Sequence, residues 1–127
     1  MSAKHALVID DNSTNVRILV QMLAKQGISS TEISKSVTLE SVLPTLDQVD
    51  IVFLDLEMPG LDGFAAKELI RSHLGDIPIV AYTVHISEMN SVQQRGFDGF
   101  LPKPLDNTRF PDQVARLLRG EGVWERV

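Results

Sequence analysis

The stretch IVFLD, residues 51–55, decides the fold class, because four apolar residues run without interruption into an acid. A strand that is apolar throughout, rather than at alternate positions, is typical of a parallel sheet covered on both faces. The stretch ALVID at residues 6–10 repeats the pattern, with Asp10 in the place that Asp55 takes in the first stretch. The two stretches therefore predict two buried strands that each lead into a carboxylate.

Strands and helices alternate along the rest of the chain. Pro44 lies inside the second helical pattern and predicts that this helix ends or kinks there. Five strand–helix repeats predict an α/β fold, with a five-stranded parallel sheet and helices on both faces. The predicted strands are 6–9, 30–34, 51–54, 77–82 and 97–101. The predicted helices are a first one around 16–23, followed by 37–46, 64–73, 86–95 and 108–119.

The carboxyl ends of the predicted strands are the place to look for a site, because ligands of such sheets bind there. Asp10 and Asp11 follow the first strand, Asp55 the third and Thr83 the fourth, and Lys103 comes after the fifth. Two like charges 4 Å apart repel by about 4 kcal/mol at an effective dielectric constant of 20. Three converging acids therefore need protons or a cation. Oxygen ligands without nearby His or Cys favour Mg²⁺ over zinc.

Each of these residues also has an ordinary structural interpretation. A single Asp after a strand often caps the next helix, a Thr such as Thr83 often does the same, and a lysine such as Lys103 is often a solvated surface charge. The doublet Asp10-Asp11 together with Asp55 favours a functional site. Prolines at 102 and 104 restrict the backbone around Lys103, which suits a lysine held at a fixed reach.

Composition excludes several classes of protein. The chain of 127 residues carries 12 basic and 17 acidic side chains, a net charge of −5 that argues against a nucleic-acid partner. It has no cysteine, which excludes disulfides and thiolate zinc sites. No apolar run approaches the ~20 residues of a membrane span. Residues 1–5 lack the basic region and the apolar core of a secretion signal. We therefore expect a cytoplasmic domain with no membrane partner.

Four segments in order resemble the receiver domain of two-component response regulators, the CheY-like family. They are VIDDN (8–12), FLDLEMPGLDG (53–63), VAYT (80–83) and FLPKP (100–104). The resemblance covers residues 5–119 and leaves a short C-terminal tail, 120–127. It implies the flavodoxin-like (βα)5 sheet with strand order 2-1-3-4-5.

The resemblance also implies a phosphoacceptor and a metal site. Asp55 falls where receivers carry the aspartate that accepts the phosphoryl group. Asp11 matches the direct Mg²⁺ ligand, and Asp10 matches its acidic neighbour, which acts through water. Glu57 matches the position whose backbone carbonyl binds the metal together with Asp55.

Three further matches imply catalysis and switching. Lys103 matches the lysine that pairs with a phosphoryl oxygen, and Thr83 matches the hydroxyl that moves to contact the phosphoryl group. Phe100 matches the aromatic residue that turns inward on activation, although plain core packing explains a Phe at this position equally well. Glu57 and His85 stand at positions that rim the site, and a solvated residue at a helix start is the ordinary interpretation of His85.

The resemblance implies a phosphoacceptor protein rather than an enzyme, apart from self-phosphorylation and autodephosphorylation at Asp55. The donor would be a phospho-His on a sensor histidine kinase or a histidine phosphotransfer domain, and the output would be contact with a downstream protein target. The resemblance does not decide whether the chain forms a homodimer. Only eight residues follow Arg119, so the chain is a stand-alone receiver or part of a hybrid kinase or larger regulator.

Two other functions compete with this one. A phosphatase of the haloacid dehalogenase type also uses an aspartate after an apolar strand, but its nucleophile segment reads Asp-x-Asp, whereas residues 55–57 read Asp-Leu-Glu. A scaffold that kept the fold without phosphorylation would have no need of the full set of site residues. A flavodoxin would need a Ser/Thr/Gly-rich phosphate loop after the first strand, where Asp10 and Asp11 would repel the phosphate.

Val84 follows Thr83 where receivers usually carry a small residue such as alanine, and its branched side chain narrows access to Asp55. We predict that Val84→Ala speeds phosphorylation by small donors. The rate of mass gain with acetyl phosphate measures this, and equal rates for the two proteins would refute the prediction.

Overall fold

Six parallel strands and five α-helices alternate in the computed structural model, which describes residues 3–125. The strands are His5–Ile9 (β1), Ser29–Ile33 (β2), Ile51–Asp55 (β3), Ile79–Thr83 (β4), Gly99–Pro102 (β5) and Val123–Trp124 (β6). The helices are Ser13–Lys25 (α1), Leu39–Val42 (α2), Gly63–Leu74 (α3), Met89–Gln94 (α4) and Phe110–Leu118 (α5).

The strands form one sheet in the order β2-β1-β3-β4-β5-β6, with every neighbouring pair parallel. The predicted order 2-1-3-4-5 is confirmed. The sixth strand, β6, was not predicted, because two residues are too few to show a hydrophobic period. It lies within 120–127, the segment interpreted as a tail, and it pairs with the outer edge of β5.

Hydrophobic residues on the two faces of the sheet pack against different helices. One face holds Val8, Phe53 and Tyr82 and is covered by buried residues of α1 and α5. The opposite face holds Leu54 and Phe100 and is covered by residues of α2, α3 and α4. Two buried faces explain why β1, β3 and β4 are apolar throughout. No helix within residues 3–125 is long and apolar enough to cross a lipid bilayer.

Local signals in the sequence set several element ends. The side chain of Asn12 accepts a hydrogen bond from Asn15 N at 3.0 Å and caps α1. The predicted interruption at Pro44 is also confirmed, since α2 ends at Val42 and a 3₁₀ turn over Leu43–Thr45 follows it. The fourth helix is shorter than predicted, because a 3₁₀ turn over Ile86–Glu88 precedes it.

Candidate functional site

The parallel register brings the predicted site residues to one edge of the sheet. Asp55 and Thr83 are the last residues of β3 and β4, Asp10 directly follows β1, and Lys103 directly follows β5. One carboxylate oxygen from each of Asp10, Asp11 and Asp55 lies within 4.8 Å of the others. The expected convergence is therefore observed, and three acids share one small volume.

Asp10 is fully buried and is held by three donors. Its Oδ1 accepts from Asn12 N at 2.9 Å, and its Oδ2 accepts from the Tyr82 hydroxyl at 2.7 Å and from Lys103 Nζ at 3.4 Å. Burial alone would raise the pKa of Asp10, but these hydrogen bonds and the lysine charge outweigh burial and hold the pKa below its ordinary value. Asp10 is therefore the member of the cluster that stays ionised.

Asp55 has fewer compensating contacts. It is 3% exposed, and its Oδ1 accepts from Glu57 N at 2.9 Å and lies 3.3 Å from Lys103 Nζ. Burial is the main reason that its pKa is raised to about 6, and the neighbouring Asp10 carboxylate raises it further against the effect of the hydrogen bond and the lysine. Asp55 is thus largely ionised at neutral pH but is the first acid of this pair to take a proton.

Among residues 3–125, Lys103 is the single cation whose side chain pairs with Asp10 and Asp55. Its side chain is 12% exposed and its Nζ lies between Asp10 and Asp55, 4.5 Å from the centre of the Tyr82 ring. Its backbone N donates to Thr83 O at 3.0 Å, and the peptide bond to Pro104 is cis. One lysine against three carboxylates leaves net negative charge at the site, which favours a divalent cation.

Asp11 differs from the other two acids, because it is exposed to solvent. It does not cap α1, since Asn12 takes that role. A hydrated cation that approaches the cluster from solvent therefore meets the Asp11 carboxylate before the buried ones. Three hard oxygen donors of this kind match the ligand preference of Mg²⁺.

The side chain of Glu57 folds over the loop that follows β4. Its carboxylate accepts a hydrogen bond from the Thr83 hydroxyl, a further one from Val84 N at 3.3 Å, and lies 3.1 Å from His85 Nε2. Sequence reasoning assigned Glu57 a role through its backbone carbonyl and missed this side-chain bridge. His85 is mostly exposed, as its ordinary interpretation predicts, yet it contacts a residue of the site.

Phe100 is fully buried in the hydrophobic cluster that also holds Ala81 and Met89. This is the core position that its structural interpretation predicts, and the ring points inward. The resemblance implies a ring that turns inward on activation, but the Phe100 ring already has this inward position without a phosphoryl group. A switch role for Phe100 stays a prediction. Phe100 lies three residues before Lys103 on the same strand segment, so any shift of β5 affects both side chains.

Tyr82 is the site residue that sequence reasoning missed. It is almost fully buried, its hydroxyl holds Asp10, and its ring lies beside the Lys103 ammonium group. Burial and the hydrogen bond to the Asp10 carboxylate both raise the pKa of Tyr82, which keeps the phenol protonated as a donor. The sequence could have indicated this role, because Tyr82 directly precedes Thr83 at the end of a predicted strand. In the sheet Tyr82 is the register partner of Asp55.

Comparison with known proteins identifies a family. The sequence model of the response regulator receiver domain family matches residues 6–115 of this chain. The sensor histidine kinase GacS of Pseudomonas protegens is 29% identical over 131 residues, covering 94% of this chain and 14% of that protein. The hybrid signal transduction histidine kinase G of Dictyostelium discoideum is 36% identical over 105 residues, covering 78% of this chain and 3% of that protein. The chain thus spans a small part of either relative.

Solved structures share the fold. The RcsB response regulator of Salmonella typhimurium matches with a TM-score of 0.84 and 23% identity, covering 98% of this chain and 63% of that one. The receiver domain of a Pseudomonas aeruginosa sensor histidine kinase matches with a TM-score of 0.79 and 22% identity, covering 93% of this chain and 99% of that one. That structure has a magnesium ion coordinated in its active site cleft.

The raised pKa of Asp55 predicts how stability depends on pH without divalent cations. The folded chain holds a proton that the unfolded chain releases, so stability is lost as the pH rises from the ordinary value of 3.8 to about 6. Asp55→Asn removes this loss. We predict that the variant is more stable than the wild type by about 2 kcal/mol at pH 7 and by almost nothing at pH 4.

Urea unfolding in EDTA at the two pH values measures the difference. Asp47→Asn is the charge-matched control, because Asp47 is exposed and lies outside the cluster. The same stability gap at pH 4 and pH 7, or an equal gap in the control, would contradict the prediction.

Proposed function

Since the chain belongs to the response regulator receiver domain family, we propose that it carries a phosphoryl group on Asp55 in a two-component phosphorelay. The observation that carries the proposal is the meeting of Asp10, Asp11 and Asp55 with Lys103, whose Nζ lies 3.3 Å from Asp55 Oδ1. A nucleophile, a cation site and a fixed ammonium group are the parts that phosphoryl transfer needs.

In this proposal Asp55 is the nucleophile. Its carboxylate oxygen attacks the phosphorus atom of a phospho-His, the new P–O bond forms, the P–N bond breaks, and the imidazole leaves with the bonding electron pair. The carboxylate must be ionised to attack. A pKa of about 6 leaves Asp55 mostly ionised at neutral pH, with the hydrogen bond from Glu57 N fixing its orientation.

The donor set of the cluster fits Mg²⁺. The Asp11 and Asp55 carboxylates and the Glu57 backbone carbonyl would hold the ion, and Asp10 would act from one step further out because its oxygens are already bonded to Asn12 and Tyr82. An ion held there would supply positive charge against the transferred phosphoryl oxygens. Tyr82 keeps Asp10 in place as an ionised neighbour of the ion.

Lys103 supplies positive charge from the protein itself. Its Nζ already lies next to Asp55, and the backbone hydrogen bond between Lys103 and Thr83 fixes the distance between β5 and β4. A phosphoryl oxygen on Asp55 would replace part of the carboxylate charge that Lys103 now pairs with. The ammonium group therefore stabilises charge as it develops, with little reorganisation.

The Glu57 bridge gives the proposed switch its resting position. The Thr83 hydroxyl now donates to the Glu57 carboxylate, and an acyl phosphate on Asp55 would offer it additional strong acceptor oxygens. Glu57 and the phosphoryl group therefore compete for one donor. Movement of Thr83 between them is a shift between two arrangements, which can extend to Phe100 through β5.

The relatives suggest the donor and the setting. Both matched kinases are far longer than this chain, and their names describe a sensor histidine kinase and a hybrid histidine kinase. We therefore propose a histidine kinase or a histidine phosphotransfer domain as the phosphoryl donor and the cytoplasm as the place of transfer. The output is a change in a protein-binding surface.

Acetyl phosphate tests the proposed function. We predict that the wild-type chain with Mg²⁺ gains the mass of one phosphoryl group, and that hydroxylamine, which cleaves acyl phosphates, removes it. Asp55→Asn should gain none, because an amide oxygen is too weak a nucleophile. Asp47→Asn is the matched control, and EDTA should abolish the gain.

Intact-protein mass spectrometry over a time course provides the readout. Equal labelling of the wild type and Asp55→Asn, or labelling that resists hydroxylamine, would show that Asp55 does not accept the phosphoryl group.

A further inference from the structure

The C-terminal segment 121–125 lies along the outer edge of β5, the strand that holds Phe100. Val123 is the register partner of Gly99, and Trp124 is the register partner of Phe100. Glu125 N donates to Phe100 O at 3.1 Å. Register partners in a parallel sheet point to the same face, so Trp124 lies beside Phe100.

Two glycines allow this segment to lie so close. A Cβ atom on Gly99 would come within 2.9 Å of Leu117 Cδ2 and 3.1 Å of Val123 O. A Cβ atom on Gly122 would come within 2.7 Å of Trp124 Nε1. The approaches of 2.9 Å and 2.7 Å are shorter than real Cβ contacts, so a side chain at either position would require Leu117 or Trp124 to shift.

The segment also joins both hydrophobic layers of the protein. Val123 is 1% exposed and packs with Leu117 in the layer under α1 and α5. Trp124 is half-buried and packs on the opposite layer, which contains Phe100. The two adjacent side chains therefore hold β5 from both faces.

Glu125 fastens the segment to α5. Its carboxylate accepts from Arg109 Nη2 at 3.0 and 3.1 Å and from the buried Gln113 at 3.2 Å. The Glu125 side chain is only 18% exposed, so this ion pair is screened less than the neighbouring surface pairs of Glu121. Backbone pairing to β5 and the ion pair to α5 thus fix the two elements to each other.

We propose that residues 121–125 form a strap that holds the present arrangement of β5 and α5, and that phosphorylation of Asp55 loosens it. The proposal rests on the proposed function. Lys103 and Thr83, the groups that would turn to the phosphoryl group, are joined by a backbone hydrogen bond at the end of β5. If Lys103 and Thr83 turn to the phosphoryl group, β5 shifts with them and disturbs the contacts of Gly99 and Phe100 with the segment. Closely packed elements move between discrete arrangements and do not deform continuously.

Thermodynamic reciprocity makes the strap testable from both sides. If a phosphoryl group weakens the strap, then a weakened strap must strengthen binding of a phosphoryl analogue by the same factor. Glu125→Gln keeps the size of the side chain and removes the charge that pairs with Arg109. Glu40→Gln is the charge-matched control, because Glu40 is exposed on α2, which follows β2, the strand at the opposite edge of the sheet from β6.

Hydrogen exchange and calorimetry on the full chain provide the readouts, with beryllofluoride and Mg²⁺ as the phosphoryl analogue. We predict that beryllofluoride lowers amide protection in residues 121–125 and changes the fluorescence of Trp124, the single tryptophan of the chain. We also predict that Glu125→Gln binds beryllofluoride about fivefold more tightly than the wild type. Glu40→Gln should bind like the wild type.

The outcomes separate the strap from the proposed function, because mass gain at Asp55 with acetyl phosphate is measured on the same sample. If Asp55 is phosphorylated but strap protection stays unchanged or rises, the strap proposal is wrong and the function stands. Equal beryllofluoride affinity of Glu125→Gln and Glu40→Gln also overturns the strap proposal. If Asp55 takes no phosphoryl group, both proposals fail.

Discussion

One ammonium group against three carboxylates is the constraint on which the rest of the structure depends. Lys103 lies within 3.4 Å of oxygens on both Asp10 and Asp55, and Asp11 has no such cation beside it among the described contacts. Repulsion among these acids costs stability, and the fold tolerates it because many buried apolar residues surround the site. Such local cost at a defined place in an otherwise well-packed protein is typical of a functional site.

The pKa values of the two buried acids, Asp10 and Asp55, are shifted in opposite directions. Asp10 has donors from the backbone, from Tyr82 and from Lys103, and it stays ionised. Asp55 has fewer donors and a pKa raised to about 6. The difference suits their proposed roles, because a permanent anion supports a cation, whereas a poorly compensated carboxylate gains most from a new bond or a new counterion.

The sequence predicted the sheet and the meeting of the acids because parallel strands end at the same edge, so apolar runs that each lead into an acid place those acids together. The sequence could not predict contacts that depend on where individual side chains point. The reach of Glu57 over Thr83 requires the loop geometry, and the role of Tyr82 requires the register of β3 and β4. The sixth strand has two residues, too few to show a hydrophobic period, and it pairs with β5 at Gly99 and Phe100.

The most direct test of the central claim is a calorimetric titration of Mg²⁺ into the wild type, Asp11→Asn and Asp47→Asn at neutral pH. The charge imbalance predicts one Mg²⁺ per chain for the wild type and Asp47→Asn with the same Kd. It predicts binding weaker by about tenfold or more for Asp11→Asn, which loses a ligand. Absence of Mg²⁺ binding to the wild type, or equal affinity in all three proteins, would contradict a cation site built from these acids.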